Sequence, residues 1–289
     1  MFRTSRQRWL LVVLGVFAFA LFPAVMLANH SWNGYHWART SNPFTLKLGN
    51  NVSSAWTLYL NNASSDWSQS TVLDTTIVAG GTKPRNCRPT SGRVEVCDAS
   101  YGNTGWLGLA QIWVSGSHIA QGVVKLNDTY YYPGSSYDTF GWRSLVTCQE
   151  IGHTFGLDHQ DTNFDNPNLG TCMDYTSNPD GPPSNSSPNQ GDYDELLCIY
   201  DPASAGKTLS TPTHSCTGTG HLDSTTTVGQ TVNNLMPPAM NDVDYSEPHQ
   251  WGRLIRGSRA AGFAVYDLDF GHGNHIFTFV TWTREAQNQ

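Results

Sequence analysis

The run Cys148-Gln149-Glu150-Ile151-Gly152-His153-Thr154-Phe155-Gly156-Leu157-Asp158-His159 constrains this chain more than any other stretch. Gln149 and His153 stand four positions apart, so on an α-helix their side chains lie one turn above each other and reach the same ion. Glu150 lies beside that pair, where a carboxylate can take a proton from water held at the ion. His159 needs a different explanation. Six residues at about 100° each would carry it roughly 240° around a continuing helix, away from His153. The helix therefore has to stop first. Gly156 supplies the stop, because a left-handed residue just past a helix end costs glycine almost nothing. The chain then turns so that His159 faces the ion held by His153 and Gln149, leaving a tetrahedral site with one exchangeable position.

Strand-like runs precede this helix, at Phe44 to Leu48, Val72 to Val78, Arg93 to Cys97, Trp106 to Val114, Val123 to Leu126 and the aromatic Tyr130 to Tyr132. Val52 to Trp67 carries apolar residues at helical spacing, the motif helix is expected from near Gly141, and Asp192 to Tyr200 reads as a last helix. Between His159 and Gln190 the chain is rich in Asn, Asp, Pro, Gly and Ser, and loops of that length are often functional. With 289 residues there is room for one full domain and a smaller appendage. The expected division is residues 1–28 as a signal peptide or anchor, 29–202 as the main domain, 203–240 as a polar linker and 241–289 as a small β-rich region. In that last region short β-like runs surround Gly252, Gly262 and Gly271.

Charged residues make up 13% of the chain and the net charge is −7, which leaves no basic face for nucleic acid. Arg3, Arg6 and Arg8 precede the apolar run from Trp9 to Leu27, a pattern that reads as a secretory signal; uncleaved, the same run would anchor the chain to a membrane. Six cysteines in an exported chain point to disulfides, and Cys87 with Cys97, flanking a short Pro- and Gly-containing stretch, is the expected pair. Residues 29–43 leave no room for a large folded pro-segment before the first strand, so latency by such a segment is not expected. His118, near a turn, reads as an ordinary surface or core histidine rather than as a further ligand. Asp161, Asp165, Asn166 and Asp174 form an oxygen-rich stretch that would suit calcium, with solvated loop residues as the default reading.

Glu150, His153, Gly156 and His159 resemble the signature of the metzincin family of zinc peptidases, which includes the matrixins, astacins and serralysins. Gln149 stands where that family has its first histidine; its amide oxygen is a neutral donor of similar reach. Cys172-Met173-Asp174-Tyr175 resembles the family's methionine turn, with Met173 as the floor beneath the metal. Tyr175 matches a tyrosine that ligates zinc or stabilises the oxyanion in some branches. Gly105-Trp106-Leu107-Gly108-Leu109-Ala110 resembles the edge strand that binds an extended peptide by strand addition. The resemblance implies an α+β zincin-like domain with a mixed sheet and an active-site helix, ligating Zn2+ through Gln149, His153 and His159. Glu150 would be the general base and the chain a secreted, monomeric endopeptidase acting on extended peptide or protein substrates. The alternative is a weakly active or inactive extracellular protein of this type that binds peptides or mediates adhesion.

Overall fold

The computed structural model describes residues 30–204, 208–209, 214–216, 222–223, 236–241 and 247–288, so the expected signal or anchor lies outside the described residues. The strands are β1 (His36–Trp37), β2 (Phe44–Asn51), β3 (Leu73–Ala79), β4 (Arg93–Ala99), β5 (Trp106–Ser115), β6 (His118–Asn127), β7 (Thr208–Leu209), β8 (His214–Ser215), β9 (Arg253–Ser258), β10 (Phe263–Asp269) and β11 (Asn274–Trp282). The helices are α1 (Thr57–Trp67), α2 (Phe140–His153), α3 (Gln190–Tyr200) and the short α4 (Arg284–Gln287). The fold is the expected α+β class with a mixed sheet. Tyr130 to Tyr132 departs from expectation: residues 128–130 close a 3-10 turn, which Asn127 caps by accepting from the Thr129 amide. An aromatic run suits a strand only where a neighbour is free to pair with it, and here the turn chemistry of Asn127 and Asp128 prevails.

Among the described residues nine strands form one sheet, in the order β3-β2-β4-β6-β5-β11-β10-β9 with β1 pairing on β6. β2, β3, β4 and β6 run parallel. β5, β11, β10 and β9 are each antiparallel to their neighbours. β9, β10 and β11, which lie in the region set apart in the sequence reading, therefore continue the main sheet. The reason is legible in the burial of β11, where eight of nine residues are buried, Asn274 and Ile276 to Trp282. A strand covered on both faces belongs inside a sheet. β9, at the far end, leaves Leu254 and Ile255 exposed.

α1 and α2 lie across one face of the sheet. Trp67 is fully buried where they meet; its indole donates to the Cys148 carbonyl at 3.2 Å and its ring meets Phe155 edge-on at 5.5 Å. The other face is covered by smaller clusters, one around Trp113, Ile276 and Met240 and one around Trp106, Trp251 and Trp282. Three disulfides are present, Cys87–Cys97 as expected, Cys148–Cys172 and Cys198–Cys216.

Near the end of β4, burial and the hydrogen bond with Asp128 raise the Asp98 carboxyl from 3.8 to about 6. The folded chain thus keeps a proton that the unfolded chain releases between those values, so the contribution of Asp98 to stability falls as pH rises from about 4 to about 6, against the buried histidines, whose contribution rises. Thermal melts of the wild type and Asp98→Asn across that window check this: the variant is expected to gain stability relative to the wild type as pH rises, and a constant difference would count against it.

Candidate metal centre

α2 is buried at every position from Gly141 to His153. Thr139 opens it, its hydroxyl accepting from the Trp142 amide at 3.1 Å. After His153 the chain reverses at Gly156, which has φ +93°, and a Cβ there would lie 2.1 Å from the Tyr35 carbonyl oxygen. The approach is that close because residues 31–35 run along the turn: the Trp32 amide donates to the Gly156 carbonyl at 2.7 Å, and Ser31 bridges Leu157. Glycine is thus required twice, for its dihedral and for its missing side chain.

The reversal brings His153 Nε2 and His159 Nε2 to 3.2 Å. Two ligands of one tetrahedral zinc, each about 2.05 Å from it, stand about 3.3 Å apart. His153 Nδ1 lies 2.9 Å from the Leu157 carbonyl oxygen, which fixes the tautomer that leaves Nε2 with a lone pair. Burial holds His153 well below the usual imidazole range, helped by neighbouring His159, and brings His159 down to about 3, so both rings are neutral donors. The pair fits a zinc ion. Gln149 is brought to the same helix face but is engaged at both ends: its Nε2 donates to the Cys172 carbonyl at 2.8 Å, and its Oε1 accepts from Thr281 Oγ1 at 2.8 Å.

The same Thr281 hydroxyl lies 2.7 Å from Glu150 Oε1. Glu150 is fully buried, and desolvation raises its carboxyl to about 8 against the lowering effect of that hydrogen bond. Its second oxygen, Oε2, has no hydrogen-bond partner among the described residues. β5 makes room for it at Gly108, where a Cβ would stand 3.1 Å from Glu150 Cγ and 2.4 Å from Val146 Cγ1. Thr281 is the residue opposite Gly108 across the β5–β11 ladder.

Met173 lies beneath α2. Its Sδ would be 2.6 Å from a Cβ at Gly152, one residue before His153, and its carbonyl accepts from the Gln160 amide at 2.7 Å. The Cys148–Cys172 disulfide ties the helix to this turn between Gln149 and Met173. Tyr175 packs edge-on against His159 at 4.8 Å, but its hydroxyl donates to the Gly262 carbonyl at 2.8 Å, on the C-terminal hairpin. Asp158 accepts from the His159 amide at 2.8 Å and forms an ion pair with Arg256 of β9. A polar cavity of about 280 Å³, lined by Trp32, Asp158, His159, Gln160 and Arg256 among others, opens beside His159.

Two readings change. The β5 segment at Gly105 to Ala110 is not an edge: β11 pairs with it along its whole length. The calcium reading finds no support, since Asp161 accepts from the Asn163 amide and from Asn166, and Asp174 from the Leu169 amide and Asn185 Nδ2, so these carboxylates hold the loop together. His118, read from the sequence as no further ligand of the motif, lies apart from the His153–His159 pair and meets Asp223. The participants that sequence reasoning missed, Thr281, Phe279 and Arg256, meet their partners across 98 or more positions of the chain, and no local pattern could have found them. Phe279 stacks on the His153 ring at 4.4 Å and 10°.

Gly156→Ala is expected to destabilise the fold by about 3 kcal/mol or more, combining a strained dihedral with a backbone collision. Denaturant unfolding checks this; a loss under about 1 kcal/mol would mean that the reversal does not depend on glycine.

No protein-family model and no curated protein matches this chain. Among solved structures it is similar to myroilysin, at 12% identity over 57% of this chain and 82% of that one, with a TM-score of 0.32. It is also similar to high choriolytic enzyme 1, a hatching-enzyme zinc protease from the medaka fish Oryzias latipes, at 12% identity over 56% and 92% of the two chains and a TM-score of 0.30.

Proposed function

We propose that this chain is an exported zinc-dependent endopeptidase of the metzincin type. The observation that carries the reading is the neutral, buried pair His153 Nε2 and His159 Nε2 at 3.2 Å, with Glu150 one position from Gln149 on the same helix. His153 and His159 would hold the ion, with Gln149 as the third ligand once its oxygen is released from Thr281. When bound, zinc supplies Lewis-acid polarisation of a carbonyl and acidifies water. Glu150, protonated while buried and ionised once water enters the opened cleft, takes the proton of the attacking water and returns it to the leaving amine. Tyr175 steadies the developing oxyanion when its hydroxyl is free of the Gly262 carbonyl. An extended peptide would pair with β5, the strand that places Gly108 against Glu150, once β11 has left that edge. Three disulfides are in keeping with export, and no helix among the described residues is long and apolar enough to cross a membrane.

A second reading is favoured by the double engagement of Gln149: a scaffold of the same type that holds no zinc at this site and acts by binding. Elemental analysis separates the two. On the peptidase reading His153→Ala carries about one zinc fewer per chain than the wild type, and Glu150→Gln cuts peptide hydrolysis at least about 100-fold with zinc content unchanged. Equal zinc in the wild type and His153→Ala, with uptake gained in Gln149→His, would select the binding scaffold.

A further inference from the structure

One group of metal-ligating side chains lies outside the motif. His36 on β1, His118 at the start of β6 and Asp223 bring their ligand atoms within 4.8 Å of one another. Three distant stretches are gathered to do this. Parallel pairing sets His36 beside His118, with the rings edge-on at 4.9 Å. Asp223 is docked from both sides of its backbone and side chain: its amide donates to the Arg39 carbonyl at 2.8 Å, and its Oδ2 accepts from the Arg39 amide at 2.9 Å. That leaves Oδ1 facing His118 Nε2 at 2.9 Å. His36 Nδ1 lies 2.8 Å from the Gly34 carbonyl oxygen, the outer contact that orients a ligating imidazole and leaves its Nε2 as the donor atom.

We propose that these residues form a second transition-metal site, with His36 Nε2, His118 Nε2 and Asp223 Oδ1 as protein ligands and water completing a tetrahedron. Two imidazoles and one carboxylate suit zinc rather than calcium or magnesium, which take oxygen ligands. The site is structural: it fastens Asp223 to β1 and β6, apart from the His153–His159 pair. The test is zinc content of the full chain after equilibration with zinc and removal of excess. His153→Ala/His159→Ala is expected to retain about one zinc, and His118→Ala and Asp223→Ala are each expected to lose about one relative to the wild type. Cobalt replacing zinc gives a visible absorption band that should survive in the double variant and disappear in His118→Ala. A double variant that carries no metal, or a His118→Ala chain that carries as much as the wild type, overturns the site and leaves only a His118–Asp223 ion pair.

A different observation concerns access, and it rests on the peptidase reading. β11 pairs with β5 from Trp106 to Ser115, where a substrate strand would lie. Alternate residues of β11 turn toward α2: Phe277 joins the main core, Phe279 covers His153, and Thr281 binds Gln149 and Glu150. Tyr175 is held by the neighbouring Gly262, and Asp158 by Arg256. Every group with a role in the chemistry is thus met by the C-terminal hairpin. We infer that β11 is a built-in occupant of the cleft, keeping the enzyme latent until residues 236–289 are released.

A cut in the connector turns this cover from an attached strand into a separate one, whose hold then depends on concentration. With a specific protease site inserted between residues 224 and 235 of the full chain, peptide hydrolysis per mole is expected to rise at least about tenfold on cutting and dilution. Hydrogen exchange of the β5 amides is expected to quicken in the same sample. Equal hydrolysis before and after the cut, or β5 amides that stay protected, overturns latency and makes β11 a fixed strand. Exposed β5 amides without hydrolysis overturn the peptidase reading itself, and the latency drawn from it.

Discussion

Desolvation governs this molecule. α2 carries a glutamine, a glutamate and a histidine into an interior from which water is excluded, and each buried polar group costs free energy unless it meets a partner. The partners come from three directions. The reversal at Gly156 returns the Leu157 carbonyl and the His159 ring to His153. The methionine turn brings the Cys172 carbonyl to the Gln149 amide, and β11 brings one hydroxyl to both Gln149 and Glu150. The same desolvation keeps the imidazoles neutral and the carboxyl protonated, so electrostatics and packing are one constraint seen twice.

Much of this could be read in the chain. The four-residue spacing of Gln149 and His153 and the need for a break at Gly156 are consequences of helical geometry, and the structure places both where that arithmetic puts them. Most strands and helices could be located from their apolar periods, because those periods are local. Tyr130 to Tyr132 misled because propensity for a strand says nothing about whether a partner strand is available.

What stayed hidden was long-range pairing. β11 carries no feature that names β5 as its neighbour; the register from Asn274 opposite Ser115 to Trp282 opposite Trp106 is chosen by which faces are apolar in three dimensions. The Gly, Ser and Thr content before residue 241 suggested a tether between two bodies, yet a tether also lets a strand return to the sheet it left. Thr281 illustrates the limit most sharply. A threonine near the end of a β-like run has no sequence signature for function, and its importance lies wholly in standing opposite Gly108, the one β5 position open enough for Glu150 to approach.

The presence of β11 beside β5 also moves the sheet's open end. The outermost strand on that side is β9, three strands from β5, with Leu254 and Ile255 exposed along it. An outer strand offers unpaired backbone groups to any passing extended segment. A segment that docked there would lie roughly 19 Å from β5, at about 4.8 Å per strand, four strand spacings from the Gly108 position that faces Glu150. In this arrangement the strand most open to recruiting another and the strand that faces Glu150 are different places, so capture at the rim would lengthen the sheet without laying a new strand against Glu150.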